Sequence, residues 1–99
     1  MNKEKLIPIE QLCVNYKVEM SLFYELQDFD IIEILSIEDS QFIHEENVSL
    51  VEKVVRMQND LNINLEGVDA VLNLLDKIND LQAELNVVKN RLRLYEDKS

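Results

Sequence analysis

Apolar residues recur at alternating spacings of three and four from Val71 to Tyr95, through Leu74, Ile78, Leu81, Leu85, Val88 and Leu92. This is the a/d pattern of a heptad seam with no polar residue, Gly or Pro to interrupt it. It predicts one continuous helix of roughly 37 Å at a rise of 1.5 Å per residue. Too few residues remain to cover a rod of that length, so a second chain is expected to share the seam. From Leu65 to Leu75 the apolar set is broader (Leu65, Val68, Val71, Leu72, Leu74, Leu75), as for a helix packed into a globular core. The expected boundary therefore falls within the helix. Residues 1–76 make a domain, and residues 77–99 extend the last helix as a coiled-coil dimerisation segment with Ile78, Leu81, Leu85, Val88, Leu92 and Tyr95 at the contact. A parallel pair would set Glu84 against Lys89 of the partner subunit and Arg91 against Glu96 of the partner subunit; an antiparallel register pairing Lys77 with the partner's Glu84 also fits. The competing expectation is an amphipathic helix folded along its own domain, since 3.5 and 3.6 residues per turn differ little over so few heptads.

Upstream the pattern is shorter in period and more broken. Pro8 suits the first turn of a helix whose inward face is Ile9, Leu12, Cys13 and Tyr16. A break at Lys17 and Val18 leads to a second helix from about Glu19 to Phe29, with Phe23, Leu26 and Phe29 inward. Ile31 to Leu35 and Gln41 to His44 are β-rich runs around Ser36-Ile37-Glu38-Asp39-Ser40, which reads as a small hairpin. A third helix starts near Glu45, where Glu45 and Glu46 suit an N-terminus. It turns Val48, Val51, Val55 and Leu61 inward. Asn62 fits a left-handed C-terminal cap and Asn64 an N-cap for the last helix.

Composition narrows the class. Ninety-nine residues with one Gly and one Pro make a small, mostly helical domain. It buries about 60 to 65% of its unfolded surface, so a second copy would add to a modest core. One cysteine, Cys13, excludes an intramolecular disulfide and fits a reducing compartment; its apolar neighbours predict a buried thiol. The apolar run after Met1-Asn2-Lys3-Glu4-Lys5 is too short for a secretion signal, and no stretch is long enough to span a membrane, so a cytoplasmic protein is expected.

The net charge of −10 is not spread evenly. Residues 1–17 carry three Lys against two Glu, and residues 53–99 carry seven basic against eight acidic side chains. Between Val18 and Glu52 there is no Lys or Arg, while Glu19, Glu25, Asp28, Asp30, Glu33, Glu38, Asp39, Glu45, Glu46 and Glu52 supply ten acids. A solvated face explains most charge runs. Here Phe, Tyr and Ile are interleaved in a folding segment, which also fits an interface for a basic partner.

Helix, turn, helix, hairpin, helix and a helix running into a coiled coil resembles the MerR-like winged helix-turn-helix layout. Ile9-Glu10-Gln11-Leu12-Cys13 is similar to that family's I-x-E-L-A motif, and Val18 to Ile32 is similar to the stretch that reads V-S-x-x-T-L-R-Y-Y-E-x-x-G-L-I in DNA-binding members. Lys17 and Asp30 stand where glycines are usual. Tyr24, followed by Glu25, stands where a phosphate-contacting arginine is usual. A DNA reader needs cations on this helix and wing, because phosphate contacts supply most of its affinity. A closer resemblance is to the CbpM family of chaperone-modulatory proteins, carried by Arg56 to Val68 (R-L-R-x-E-L-x-x-x-x-x-G-I in the family) and by Leu72, Leu74-Leu75-Asp76 and Ile78 (L-x-L-M-D-D-I). That resemblance implies a protein that binds the J domain of a CbpA-type or DnaJ-type co-chaperone and limits its stimulation of DnaK.

Enzymatic chemistry finds little footing, and no enzyme activity or cofactor is expected. The single His44 stands near a helix start, no Cys/His set has metal-ligand spacing, and the pairs Glu45/Glu46 and Asp28/Asp30 lack a pocket or Gly-rich loop. The expectation is a mostly α, MerR-like winged helix-turn-helix with a β-hairpin wing, a long C-terminal helix and a homodimeric state. It would bind a J-domain partner through Tyr24, Glu25, Asp28, Asp30 and Glu33 and have no direct DNA or membrane association. A MerR-type DNA-binding regulator is the alternative, and a structural coiled-coil adaptor a third.

Overall fold

A computed structural model of the chain describes residues 5–97. The opening stretch to Glu4 and the last two residues of the 77–99 segment lie outside the described residues. The elements are β1 (Leu6–Pro8), α1 (Ile9–Tyr16), α2 (Met20–Asp28), β2 (Leu35–Ile37), β3 (Ser40–His44), a 3-10 turn (Glu45–Asn47), α3 (Val48–Asp60) and α4 (Leu65–Asp97). The mostly helical winged helix-turn-helix with a long last helix is therefore present.

The described residues divide into two units, one ending at Asp69 and the other beginning at Ala70. In the first, Ile9, Phe23, Leu26, Ile43, Val51, Val54 and Val68 are fully buried. They come from α1, α2, β3, α3 and the first turn of α4, so every long element contributes to one core. Each such side chain contributes roughly 1.5–3 kcal/mol by leaving water. In the second unit Val71 and Leu72 are half-buried, and every described residue from Asn73 onward is exposed.

Both tight helix exits use a left-handed residue that is not glycine. Lys17 (φ 57°) closes α1, with the Val18 amide donating to the Cys13 carbonyl at 3.1 Å. Asp30 (φ 59°) closes α2, with the Asp30 amide donating to Gln27 and the Ile31 amide to Leu26, each at 2.9 Å. That pair of bonds is a Schellman motif, normally built on glycine. The turn geometry is thus kept although the usual glycines are absent. Asn62 (φ 57°) takes the left-handed conformation expected of it, and Asn64 caps α4, its Oδ1 accepting from the Gly67 amide at 2.8 Å. A Cβ on Gly67 would come within 2.7 Å of the Ile63 methyl, which accounts for a glycine inside the first turn of a long helix.

Several expectations need correction. The hairpin is tighter than the β-rich runs suggest. Ile31 to Ile34 are not in a strand, whereas Ser36, Ile37 and Ser40 are, and only Glu38 and Asp39 remain as the turn. Both have positive φ (49° and 64°), the geometry of the two-residue turn that matches strand twist. A third strand, β1, pairs Ile7 with Ile43 and makes the sheet order β1-β3-β2; three residues ending in a proline carry too little pattern to announce it. Leu61 is exposed rather than inward, because α3 ends at Asp60 and the periodicity stops with it. Val54 and Met57 are buried in its stead, and Val48 is half-buried. Phe29, Cys13 and Tyr16 are also half-buried, while Leu22 and Ile32 are core. The broad apolar face expected to Leu75 ends sooner: Leu74 and Leu75 are exposed, since Leu65 and Val68 already close the core one turn earlier.

Candidate functional site

α2 presents the candidate residues Tyr24, Glu25 and Asp28 outward because its buried face is so complete. Leu22, Phe23 and Leu26 point inward, and the 3.6-residue period then directs Ser21, Tyr24, Glu25 and Asp28 to solvent. Tyr24 and Asp28 are one turn apart, and Glu25 lies beside both on the same face. The Schellman exit at Asp30 turns the chain so that Ile32 enters the core and Glu33 remains outside. Gln27 fixes the following loop, its Oε1 accepting from the Ile34 amide at 2.9 Å.

A side-chain bond ties the wing to this helix. The Tyr24 hydroxyl donates to Oε1 of Gln41 on β3 at 2.5 Å, while the residue as a whole stays 42% exposed. The expected site residues border two different hollows. Tyr24 lines one of 370 Å³ together with Glu10, Met20, Asp39, Gln41 and Phe42. Asp30 and Glu33 line another of 330 Å³ with Gln27, Ile31 and Asn47. Glu25 and Asp28 lie on the exposed helix face, outside the linings of both hollows. Sequence reasoning missed Glu10, Asp39 and Gln41 as neighbours of Tyr24. The available signal was the polar Glu38-Asp39 pair, which as a two-residue turn fixes the register that puts Gln41 under Tyr24.

All ten acids between Val18 and Glu52 are exposed. Glu52 meets Arg56 one turn along α3 at 3.7 Å, an exposed pair worth little. The stretch from Val18 to Glu52, α2 and the wing included, thus presents charge of one sign, on which a nucleic-acid backbone would meet repulsion rather than neutralisation. The Cys13 thiol is half-buried, and burial pushes its pKa up, with the carboxylate of Glu10 adding to the effect. It is a poor nucleophile in that setting. His44 ends β3 and makes no side-chain cap to the 3-10 turn that follows. Among the described residues no group of three or more metal-ligating side chains converges, and no helix is long and apolar enough to cross a membrane.

α4 offers a second surface of another kind. Ile78, Leu81, Leu85, Val88, Leu92 and Tyr95 are each more than half exposed on one helix of 33 residues. Val87 and Leu94, outside the heptad seam, are exposed as well.

The model of the MerR HTH family of regulatory proteins matches residues 7–90, from β1 into the last helix. No curated protein matches the chain.

Proposed function

The chain belongs to the MerR HTH family of regulatory proteins, and from that premise we propose that it acts on a protein rather than on DNA. It is a non-enzymatic, cytoplasmic modulator that binds the J domain of a CbpA-type or DnaJ-type co-chaperone and limits its stimulation of DnaK. The observation that carries this reading is the charge of the helix-turn-helix and wing: ten exposed carboxylates and no Lys or Arg from Val18 to Glu52. A surface of that sign is complementary to a basic helix, which is what a J domain presents to DnaK. The CbpM-like segments at Arg56 to Val68 and Leu72 to Ile78 support the choice of this partner among basic proteins.

In this mechanism Tyr24 supplies the aromatic anchor of the kind enriched at interface hot spots, and Glu25, Asp28, Asp30 and Glu33 steer the basic helix into place. Occupying that helix keeps it from DnaK. Residues 77–99 hold two copies together through Ile78, Leu81, Leu85, Val88, Leu92 and Tyr95, so each assembly carries two acidic faces.

Association kinetics with the J domain of a DnaJ-type protein test the reading. The unmodified protein should capture it with a rate that falls as salt rises, because the Debye length shrinks from about 10 Å at 0.1 M to about 3 Å at 1 M. Glu25→Lys with Asp28→Lys should slow association at least about tenfold and flatten the salt dependence, with circular dichroism unchanged. An unchanged rate and salt response in that variant removes the acidic face from the mechanism. A discrete footprint on duplex DNA at nanomolar protein would instead make this a DNA-binding regulator.

A further inference from the structure

We propose that the 370 Å³ hollow beside Tyr24 is an anchor pocket for a single arginine side chain of a basic helical partner. The inference rests on the protein-binding reading above and deepens it, because Tyr24 belongs both to this hollow and to the outer face of α2. The volume lies at the small end of ligand sites, roughly 300–1,000 Å³, and has room for one long side chain.

Its lining is matched to that side chain from stem to head. Met20, Phe42 and the ring of Tyr24 give apolar and aromatic surface for the methylenes and for a stacked guanidinium plane. Glu10 and Asp39 give carboxylates for its N–H fork. The Tyr24–Gln41 bond holds the ring between helix and wing before any ligand arrives, so less ordering is left to binding. An anion is a poor fit. The starts of α1 and α2 stand near the rim, and each helix N-terminus amounts to about half a positive charge, but two full carboxylates outweigh them. A divalent metal is also a poor fit, since among the described residues the two carboxylates find no third ligating side chain. A purely apolar side chain would leave both carboxylates without a counter-charge. Lysine satisfies the charge but not the stacking.

Amide chemical shifts of the isotope-labelled, full-length protein test this with small probes. N-acetyl-arginine amide at millimolar concentration should give saturable shifts centred on Tyr24, Asp39 and Gln41. N-acetyl-lysine amide should bind several-fold more weakly, and N-acetyl-norleucine amide should leave these amides unmoved. Glu10→Gln with Asp39→Asn should abolish the arginine response while the rest of the spectrum stays in place. Equal responses to arginine and lysine, or arginine shifts as large at Asp28 and Glu33 as at Asp39, would overturn the pocket and leave only a diffuse acidic field. The two readings separate cleanly. Arginine binding without J-domain capture sinks the partner assignment and keeps the pocket, whereas J-domain capture without arginine binding sinks the pocket alone.

Discussion

The helix-turn-helix with its wing and the last two-thirds of α4 have opposite surfaces. From Val18 to Glu52 the apolar side chains are largely inside and the charges outside are all negative. From Leu74 onward the charges are of both signs and an apolar row from Leu74 to Tyr95 is outside. The first region is packed into the core it shares with α1, α3 and the start of α4, and its surface charge has no counter-charge within the stretch. The second has a single helix, whose backbone is satisfied but whose seam is wet. The difference predicts two kinds of partner: one found through long-range fields and sensitive to salt, the other held by dehydration of a seam and insensitive to it.

The largest effects should come from striking each region at its own source of stability. Phe23→Ala removes a fully buried ring and should cost about 3–5 kcal/mol, enough to unfold much of a small domain. Leu85→Asp leaves that core untouched but, in the proposed dimer, puts two carboxylates into the seam, costing several kcal/mol per dimer in order of magnitude. Sedimentation should then show a monomer that retains the near-ultraviolet dichroism of its packed aromatic residues. If the unmodified protein is already monomeric at high micromolar concentration, the seam does not pair copies of this chain and the contrast between the regions loses one side.

A smaller effect, of opposite sign, should come from the wing tip. Glu38 and Asp39 both occupy left-handed backbone, where residues other than Gly, Asn and Asp are costly and where hairpins prefer Asn-Gly. Replacing them by Glu38→Asn and Asp39→Gly should stabilise the fold by about 1 kcal/mol, a rise in Tm of roughly 4–8 °C for a domain of this size. The same change removes two carboxylates, one of them from the proposed pocket, and should weaken capture of a basic partner. Stability rising while binding falls would sharpen the comparison, since it would mean that the acids at this turn are kept at the expense of the fold. Binding unaffected by the exchange would confine the partner surface to α2.

Much of this architecture is legible in the chain, and the failures have physical causes. The long helix, the caps at Asn62 and Asn64 and the burial of Ile9, Leu12, Phe23, Leu26, Val51 and Val55 follow from periodicity and cap chemistry. Strand β1 and the exact turn do not, because they depend on pairing between Ile7 and Ile43 and on backbone handedness at Glu38, neither of which leaves a periodic trace. Leu61 misleads because its apolar spacing continues one residue past the end of α3. At the candidate site, charge and outward direction were readable for Tyr24, Glu25 and Asp28. The hollow was not, since Glu10, Tyr24 and Asp39 are brought together by three separate elements.

The smallest effect concerns a thiol beside a single carboxylate on α1. Cys13 lies on α1, outside the basic-free stretch, yet burial and the carboxylate of Glu10 both hold its thiol above the usual cysteine range. A raised pKa means less thiolate at any pH below it, so alkylation by iodoacetamide at neutral pH should be slower than for free cysteine, and its pH midpoint should lie higher. The two causes separate experimentally. Glu10→Gln removes the charge and should lower the midpoint somewhat, but burial is the larger cause, so the midpoint should remain above that of the free amino acid. Added salt should act like a weaker version of that substitution, because it screens a carboxylate at the surface and leaves burial unchanged. If salt and Glu10→Gln both leave the rate unmoved, Cys13 senses only its packing, and the neighbouring carboxylate on α1 does not reach the thiol.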